Sequence, residues 1–562
     1  MSQTTDLNLV ETYTCGNEGM IVGLCENLKI PDILNRELTH HLGRTPEIPY
    51  GILGMMMIVN MIDRHHPLSG MKEYYQGKDL EGIFHYFIDI NQLNDDRLGR
   101  FLDALFEAGP QQVYSQVAVS ALKYYGIKVK TLNFDTTSKV MWGLYETPEG
   151  TEGEISIDFG HSKDKRSDKK QIKFGICCAN GLPIDAQVLS GNKDDKTYNH
   201  DVLERVDDIL DLYDVDRSQF YYIADSALFS KDNLEVAKKH KVHLITRMPD
   251  NVTLCRTLMD QTIDSFDSLE NLTRTNAKGK LYHYQVMEKE DVYHDNPLKL
   301  VCYHSESLQT QKSKGLEKKV DKEQKNLKKI SKTLKNREFA CLKDAQREQD
   351  KLLDKDLKKA VYHQIDFTIT TEEKRKPGRP SKKPDQKSVE IVYKLSFTFT
   401  PDAKRMEEEL RKACMFVLCS TDITLTPEQL LQEYKTQDET EKRFMTLKST
   451  EFVNSLFLDS PRRIEAFGYL MLLAVLVLSV AEYVIRRELE ERGDYLLGNE
   501  NRKVKRPTIK TILRMIRLVC VRVIKHPEKP WERSIAKEPS ETILKILEYL
   551  LIPLERFTKG VC

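Results

Sequence analysis

The sequence predicts a mixed α/β protein organised around one sheet, and three observations lead there. Two apolar strand-like stretches, LNF and YYIA, each run into an aspartate, Asp135 and Asp225. Between about residue 120 and residue 250 such stretches alternate with helical ones, the pattern of a sheet flanked by helices. A β-rich interruption follows, and a core-type strand and helices then resume the pattern.

Composition narrows the class without naming a partner. The chain has 562 residues, enough for an ample core and about two to four domains. Lysine plus arginine and aspartate plus glutamate number 86 each, so only local charge can be informative. The 11 cysteines are scattered, with Cys177 and Cys178 adjacent and no Cys-x-x-Cys pair. That argues against a disulfide framework or zinc ribbon and for a reducing, cytoplasmic compartment. The opening MSQTTDLNLVETYTCG lacks a basic segment followed by an apolar run, so no signal peptide is expected. Phe467–Ala481 is the most apolar stretch, but it is shorter than the ~20 residues a bilayer requires and is bounded by Glu465 and Glu482. It predicts a buried core helix and no membrane.

In chain order, residues 1–115 read as a helical N-terminal domain with DNA binding as its expected role. Its helices Gly51–Ile62 and Arg97–Gly109 are apolar on one face; Asn94, Asp95 and Asp96 supply caps, and Gly109-Pro110 stops the second. The pairs His40/His41 and His65/His66 lack partners at ligand spacing and read as surface or structural histidines. Residues 120–250 read as the first part of the sheet-bearing core. Ile127–Ser138 ends its apolar run at Asp135, and Gln171–Gly191 is a strand pair joined by the hairpin signal Asn180-Gly181. The loop Gly160–Gln171 is basic and polar, with Lys163 and Arg166 as candidate phosphate contacts and solvated charge as the alternative. Phe220–Ala224 ends at Asp225 before a helix through Lys239, and Val242–Pro249 is another strand.

Residues 251–412 read as an insertion domain, with YHYQVMEK, LKLVCYH and EIVYKLSFTFT as strands of a different layer. Lys312–Lys359 reads as a solvated antiparallel helical hairpin, ahead of a DNA-binding arm. KRKPGRPSKKP resembles an AT-hook core, with Arg379 as the minor-groove candidate and a basic loop as the alternative. Residues 413–490 complete the core, and residues 491–562 form a basic helical C-terminal region.

The stretch Leu430–Ser449 reads as one helix capped by Thr426-Pro427. Tyr434, Gln437, Glu441 and Lys448 fall on one side of it at ~3.6 residues per turn. Asp135, Asp225 and Glu441, gathered at a sheet edge, would repel one another unless divalent cations lay between them. An all-oxygen donor set favours Mg²⁺, with Mn²⁺ as a substitute, over zinc. Two such ions ~3.5–4 Å apart suit in-line displacement at phosphorus.

These residues resemble a known family, the DDE transposases of bacterial insertion sequences, in the branch with a Tyr-Arg-Glu-Lys signature. NFDTTS resembles its first aspartate block and YYIADSALFS its second, while Tyr434, Glu441 and Lys448 match the signature. Gln437 stands where that signature has arginine. GHSKDKRSDKKQ, GLPIDAQVLSGNKDD and NDDRLGRFLDALFEAG also resemble family segments, so the resemblance runs from about Asn94 through Tyr483.

The resemblance implies a ribonuclease-H-like catalytic core, a mixed sheet flanked by helices, with a large β-rich insertion before the glutamate. It implies that Asp135, Asp225 and Glu441 are catalytic and hold two Mg²⁺ ions, and that Tyr434 and Lys448 touch DNA phosphates. At Gln437 the contact would be weaker, or supplied by Arg443 or Lys442. The implied activity is binding of an element's terminal inverted repeats, cleavage at its ends and joining of the 3′-hydroxyls to target DNA. A homodimer synapsed on DNA in a prokaryotic nucleoid would carry it out. The alternatives are a structure-selective nuclease on the same core and a catalytically silent DNA-binding derivative.

Overall fold

The computed structural model describes residues 9–39, 46–64, 66–129, 131–143, 145, 154–163, 166–217, 220–275, 279–375, 389–448, 458–526 and 530–560. His40, His41, His65 and Arg379, with most of KRKPGRPSKKP, lie outside them.

A nine-stranded mixed sheet runs through the middle of the chain. Its order is Leu182–Leu189, Gln171–Ala179, Leu132–Val140, Tyr221–Ala224, His243–Arg247, Met415–Ser420, Asn296–Ser305, Leu281–Tyr293 and Glu270–Thr275. In chain order its first five strands lie 3-2-1-4-5. Strands one to three pair antiparallel, and strands one, four and five run parallel. The hairpin between the second and third strands turns at Asn180 and Gly181 with φ of 52° and 74°, the left-handed pair that a two-residue hairpin requires. Gln171–Ala179 is buried along its whole length, as a strand covered on both faces must be.

One of the sequence expectations changes here. YHYQVMEK and LKLVCYH are not in a different layer. Their strands extend the same sheet, because Met415–Ser420 pairs with His243–Arg247 on one side and with Asn296–Ser305 on the other. Only EIVYKLSFTFT stands apart, in a two-stranded hairpin of His363–Arg375 with Val389–Pro401. The lysine-rich segment holds two helices, Gln309–Lys335 and Leu342–Lys351, joined by a short turn, and both lie on that β-hairpin. There Leu327 and Leu334 of the 27-residue first helix join Leu352, Leu357, Leu395 and Phe397 in a small separate core. A helix with so narrow an apolar seam is stable only against a partner, and the hairpin is that partner.

The main core covers both faces of the sheet: the helix Asp195–Glu204 packs on the face of Gly175, and the 31-residue helix Pro461–Glu491 on the face of Phe174 and Val188. This helix is long and apolar enough to cross a membrane, but 94% of its most apolar window is buried inside the protein. It packs on the Leu182–Leu189 edge strand and on helices Tyr50–Arg64, Asp95–Glu107 and Pro110–Tyr124. Residues 1–115 and 491–562 also share structure. Leu9–Thr14 pairs with Cys520–Lys525, which pairs with Glu532–Ile535. Arg533 grips Asp79 through two bonds of 2.7 and 2.8 Å, and Arg556 grips Glu26 through two of 2.9 and 2.8 Å.

One buried carboxylate fastens the central helix to the rest. Glu482 accepts from Arg486 at 2.7 Å, from Arg443 at 3.5 Å and from the Ile509 N–H at 2.8 Å. Arg443 is itself buried and donates to the Gly181 carbonyl at 2.6 Å. Glu482→Ala would strand the guanidinium and the amide away from water, and should cost about 3 kcal/mol in urea unfolding. A shift under about 1 kcal/mol would show that water reaches them.

Candidate functional site

Strand alternation sorts the residues around Asp135. Leu132, Phe134 and Thr136 lie on the face covered by the helix Asp195–Glu204, so Asn133 and Asp135 face the opposite side, where Asn133 meets Thr436. On the neighbouring parallel strand Tyr222 shares the face of Phe134, while Ile223 belongs to a second cluster with Ile245, Leu418, Leu430 and Leu431. The register pairs Leu132 with Tyr222 and Asn133 with Ile223. Two residues further on in each strand direction stand Asp135 and Asp225, near enough for the charge of Asp225 to act on the Asp135 carboxyl.

Asp135 is not at the end of its strand, which continues to Val140. The parallel neighbour is the strand that ends, at Ala224, and this opens the sheet beside Asp135. Asp225 then caps a short 3₁₀ turn by accepting from the Ala227 N–H at 3.0 Å, and its carbonyl accepts from the Thr246 hydroxyl at 2.6 Å.

Burial raises the Asp135 carboxyl from an ordinary 3.8 to about 6; Lys163 opposes the rise and the charge of Asp225 adds to it. Burial also raises Asp225, again against Lys163 and with Asp195. The Lys163 ammonium is 3.0 Å from Asp135 and 3.6 Å from Asp195. Asp195 opens the helix Asp195–Glu204, accepts from the Thr136 hydroxyl at 2.6 Å and lies 3.2 Å from Lys173. Burial pushes Asp195 up, but Lys163, Thr136 and Lys173 together hold it below its ordinary value.

The third acid arrives on a broken helix rather than the single helix expected. Pro427–Lys435 is closed by a capping box between Thr426 and Gln429, and Asp438–Lys448 begins after a tightened turn at Thr436 and Gln437. The Thr436 hydroxyl donates to Asn133 at 2.9 Å and to the Glu433 carbonyl at 2.7 Å, which pins the break against the Asp135 strand. Tyr434 stands among the acids: burial lifts its phenol to about 12, Arg247 opposes this, and Asp225, Asp135 and Glu441 add to it. Glu441 itself is exposed. Among the described residues no three His, Cys, Asp or Glu side chains converge closely enough to hold a metal ion. The structure thus sets Asp135 beside Asp225 and leaves Glu441 outside direct contact with them.

The other candidates divide. Lys163 lies within the carboxylate group. Arg166 pairs with Asp168 through two 2.8 Å bonds on the surface and lies over the exposed Trp142 ring. Gln437 is buried at 9% exposure, Lys448 is half-buried, and Lys442 is exposed. Arg443 is committed to Glu482 and Gly181, so it cannot stand in for an arginine at position 437. Asp195 was missed by the sequence reading, although GLPIDAQVLSGNKDD contains it. Its signal is an aspartate pair at a helix start, which ordinary capping also explains.

Comparisons with known proteins add little beyond this geometry. Residues 10–119 match a family model described as a domain of unknown function, DUF4277. No curated protein matches the chain. A cryo-EM structure of a piggyBac transposase synaptic complex with hairpin DNA matches over 91% of this chain and 82% of that chain, with 10% identity and a TM-score of 0.37. A likeness that remote transfers neither fold nor activity.

The Asp135 carboxyl makes stability depend on pH with a definite sign. Its folded pKa lies above its unfolded one, so its contribution is full below about pH 3.8 and is lost as pH rises through about 6. Asp135→Asn should therefore be more stable than the parent at about pH 8, by on the order of 2 kcal/mol, and no more stable at about pH 4. Equal denaturation midpoints at the higher pH would contradict a costly ionised carboxylate.

Proposed function

We propose that the chain is a metal-dependent DNA transposase of the DDE type, with a ribonuclease-H-like core and a β-rich insertion. The register that sets Asp135 near Asp225 carries this reading, because it brings together the ends of two motifs 90 residues apart in sequence. The 3-2-1-4-5 strand order supports the core assignment, and the Tyr434, Glu441 and Lys448 spacing supports the branch.

The donor chemistry fits a hard divalent cation. Asp135 and Asp225 offer carboxylate oxygens with no sulfur or imidazole beside them, and the Lys163 ammonium already marks the place as one that attracts positive charge. Asp135 and Asp225 would hold Mg²⁺ or Mn²⁺, with Glu441 as the third ligand from its helix. Two such ions supply a more acidic attacking hydroxyl and charge neutralisation at phosphorus.

The protein's own part is to position and neutralise. Lys163, 3.0 Å from Asp135, limits the repulsion among Asp135, Asp195 and Asp225. Tyr434 keeps its proton through the physiological range, so its phenol can donate to a phosphate oxygen beside the acids. Lys448 and Arg166 extend the cationic surface for the strand. Two element ends must be held together, which calls for a homodimer on DNA.

Asp135→Ala, Asp225→Ala and Glu441→Ala should each abolish Mg²⁺-dependent cleavage of element-end DNA while leaving binding intact. Precleaved ends given to the parent protein should be joined to a target. Cleavage that persists in the aspartate variants would refute the assignment, and cutting without joining would leave a nuclease.

A further inference from the structure

We propose that the helix Gln309–Lys335 is a second DNA-docking surface, separate from the carboxylate centre, that holds the phosphate backbone of duplex DNA without reading sequence. The observation is how its charges are arranged. The helix carries ten lysines against three acids, Glu317, Asp321 and Glu323, in a chain whose total charge is zero. At 100° per residue, Lys314, Lys318, Lys322, Lys325, Lys329 and Lys332 all fall within about 40° of one line along the helix. Leu327 and Leu334, the two side chains buried against the β-hairpin, lie on the opposite side. All six lysines are exposed, and among the described residues none of them is in an ion pair.

A helix that only needs solubility mixes charge signs at i, i+4, since like charges at that spacing are destabilising. Here Lys314, Lys318 and Lys322 repeat at i, i+4, as do Lys325 and Lys329. The only acid close to that line is Asp321, at its margin, while Glu323 is turned inward to bind the Val361 and Tyr362 amides, each at 2.9 Å. The stripe runs over 19 residues, about 27 Å at 1.5 Å per residue. Duplex DNA presents one charge per ~1.7 Å of axis, both strands counted, so that length of duplex offers about sixteen phosphate charges to the six lysines. Lysine is a flexible point charge, which suits backbone contact and carries no base specificity. The proposal rests on the transposase reading only in its choice of polyanion.

The test uses the full chain carrying Asp135→Ala, without metal, and measures binding to a random-sequence duplex across a salt series. Changing Lys318, Lys322, Lys325 and Lys329 together to Gln should lower the slope of log affinity against log salt by about 3.6, near 0.9 per lost phosphate contact. It should weaken binding at least about tenfold at 50 mM salt, to the same extent on unrelated sequences. The matching fourfold change to Arg should retain the slope, and both variants should keep the parent's unfolding midpoint. An unchanged slope in the Gln variant overturns the proposal. So does a loss confined to one DNA sequence, or binding lost equally in the Arg variant. Failure of cleavage in the catalytic test leaves this measurement unaffected, so the two readings stand or fall separately.

Discussion

The arrangement depends on a two-residue match between parallel strands. Asn133 pairs with Ile223, and everything in the candidate site follows from which residues come next. A slip of one residue would turn Asp135 to the face of Tyr222 and the helix Asp195–Glu204, away from Asp225, and put Phe134 in its place. Phe134 and Tyr222 hold the register from beneath: their rings stack at 4.1 Å with planes 6° apart. From above, Thr436 holds it through Asn133. The carboxylates are therefore placed by hydrophobic packing on one face and by a hydroxyl–amide contact on the other.

That placement carries an electrostatic cost that the protein meets locally. Three aspartates come together where burial already disfavours their charge, and Lys163 spans two of them with one ammonium. Lys173 adds a second cation from below, itself almost wholly buried. Three carboxylates against two ammonium groups leave one net negative charge in the group, so the lysines offset most of the repulsion and not all of it. Glu441 lies apart from that group, exposed on its helix.

The sequence made parts of this legible and concealed others for physical reasons. Local signals served well: the Asn180-Gly181 hairpin, the Thr426-Pro427 cap and the buried apolar helix all depend on short-range chemistry. Asp135 and Asp225 could be singled out because apolar runs lead into them. Their proximity could not, since register is a property of two strands. The break at Thr436 was hidden because no glycine or proline marks it; a tertiary contact to Asn133 interrupts an otherwise regular helical pattern. The insertion strands looked like another layer because more than a hundred residues separate Ser305 from Met415, and pairing across such a gap leaves no local trace. Asp195 escaped notice because a capping aspartate and a charge-cluster aspartate look alike.

The continuity of the sheet changes what the insertion means. Strand Met415–Ser420 joins the first part of the core to the inserted strands through hydrogen bonds on both edges, so the insertion shares the sheet that carries the aspartates. Tyr303, on an inserted strand, stacks on Phe416 at 5.2 Å and donates to the Pro427 carbonyl at 2.6 Å, at the start of the helix that brings in Tyr434. The insertion thus buttresses the helix pair bearing Tyr434 and Glu441, while its lysine-rich helix lies on the separate β-hairpin between the same two strands. Tyr284, Val286 and Val301 of the inserted strands join Tyr303 in the cluster that holds Leu430 and Leu431, so the insertion supports that helix through packing as well as through the Tyr303 hydrogen bond.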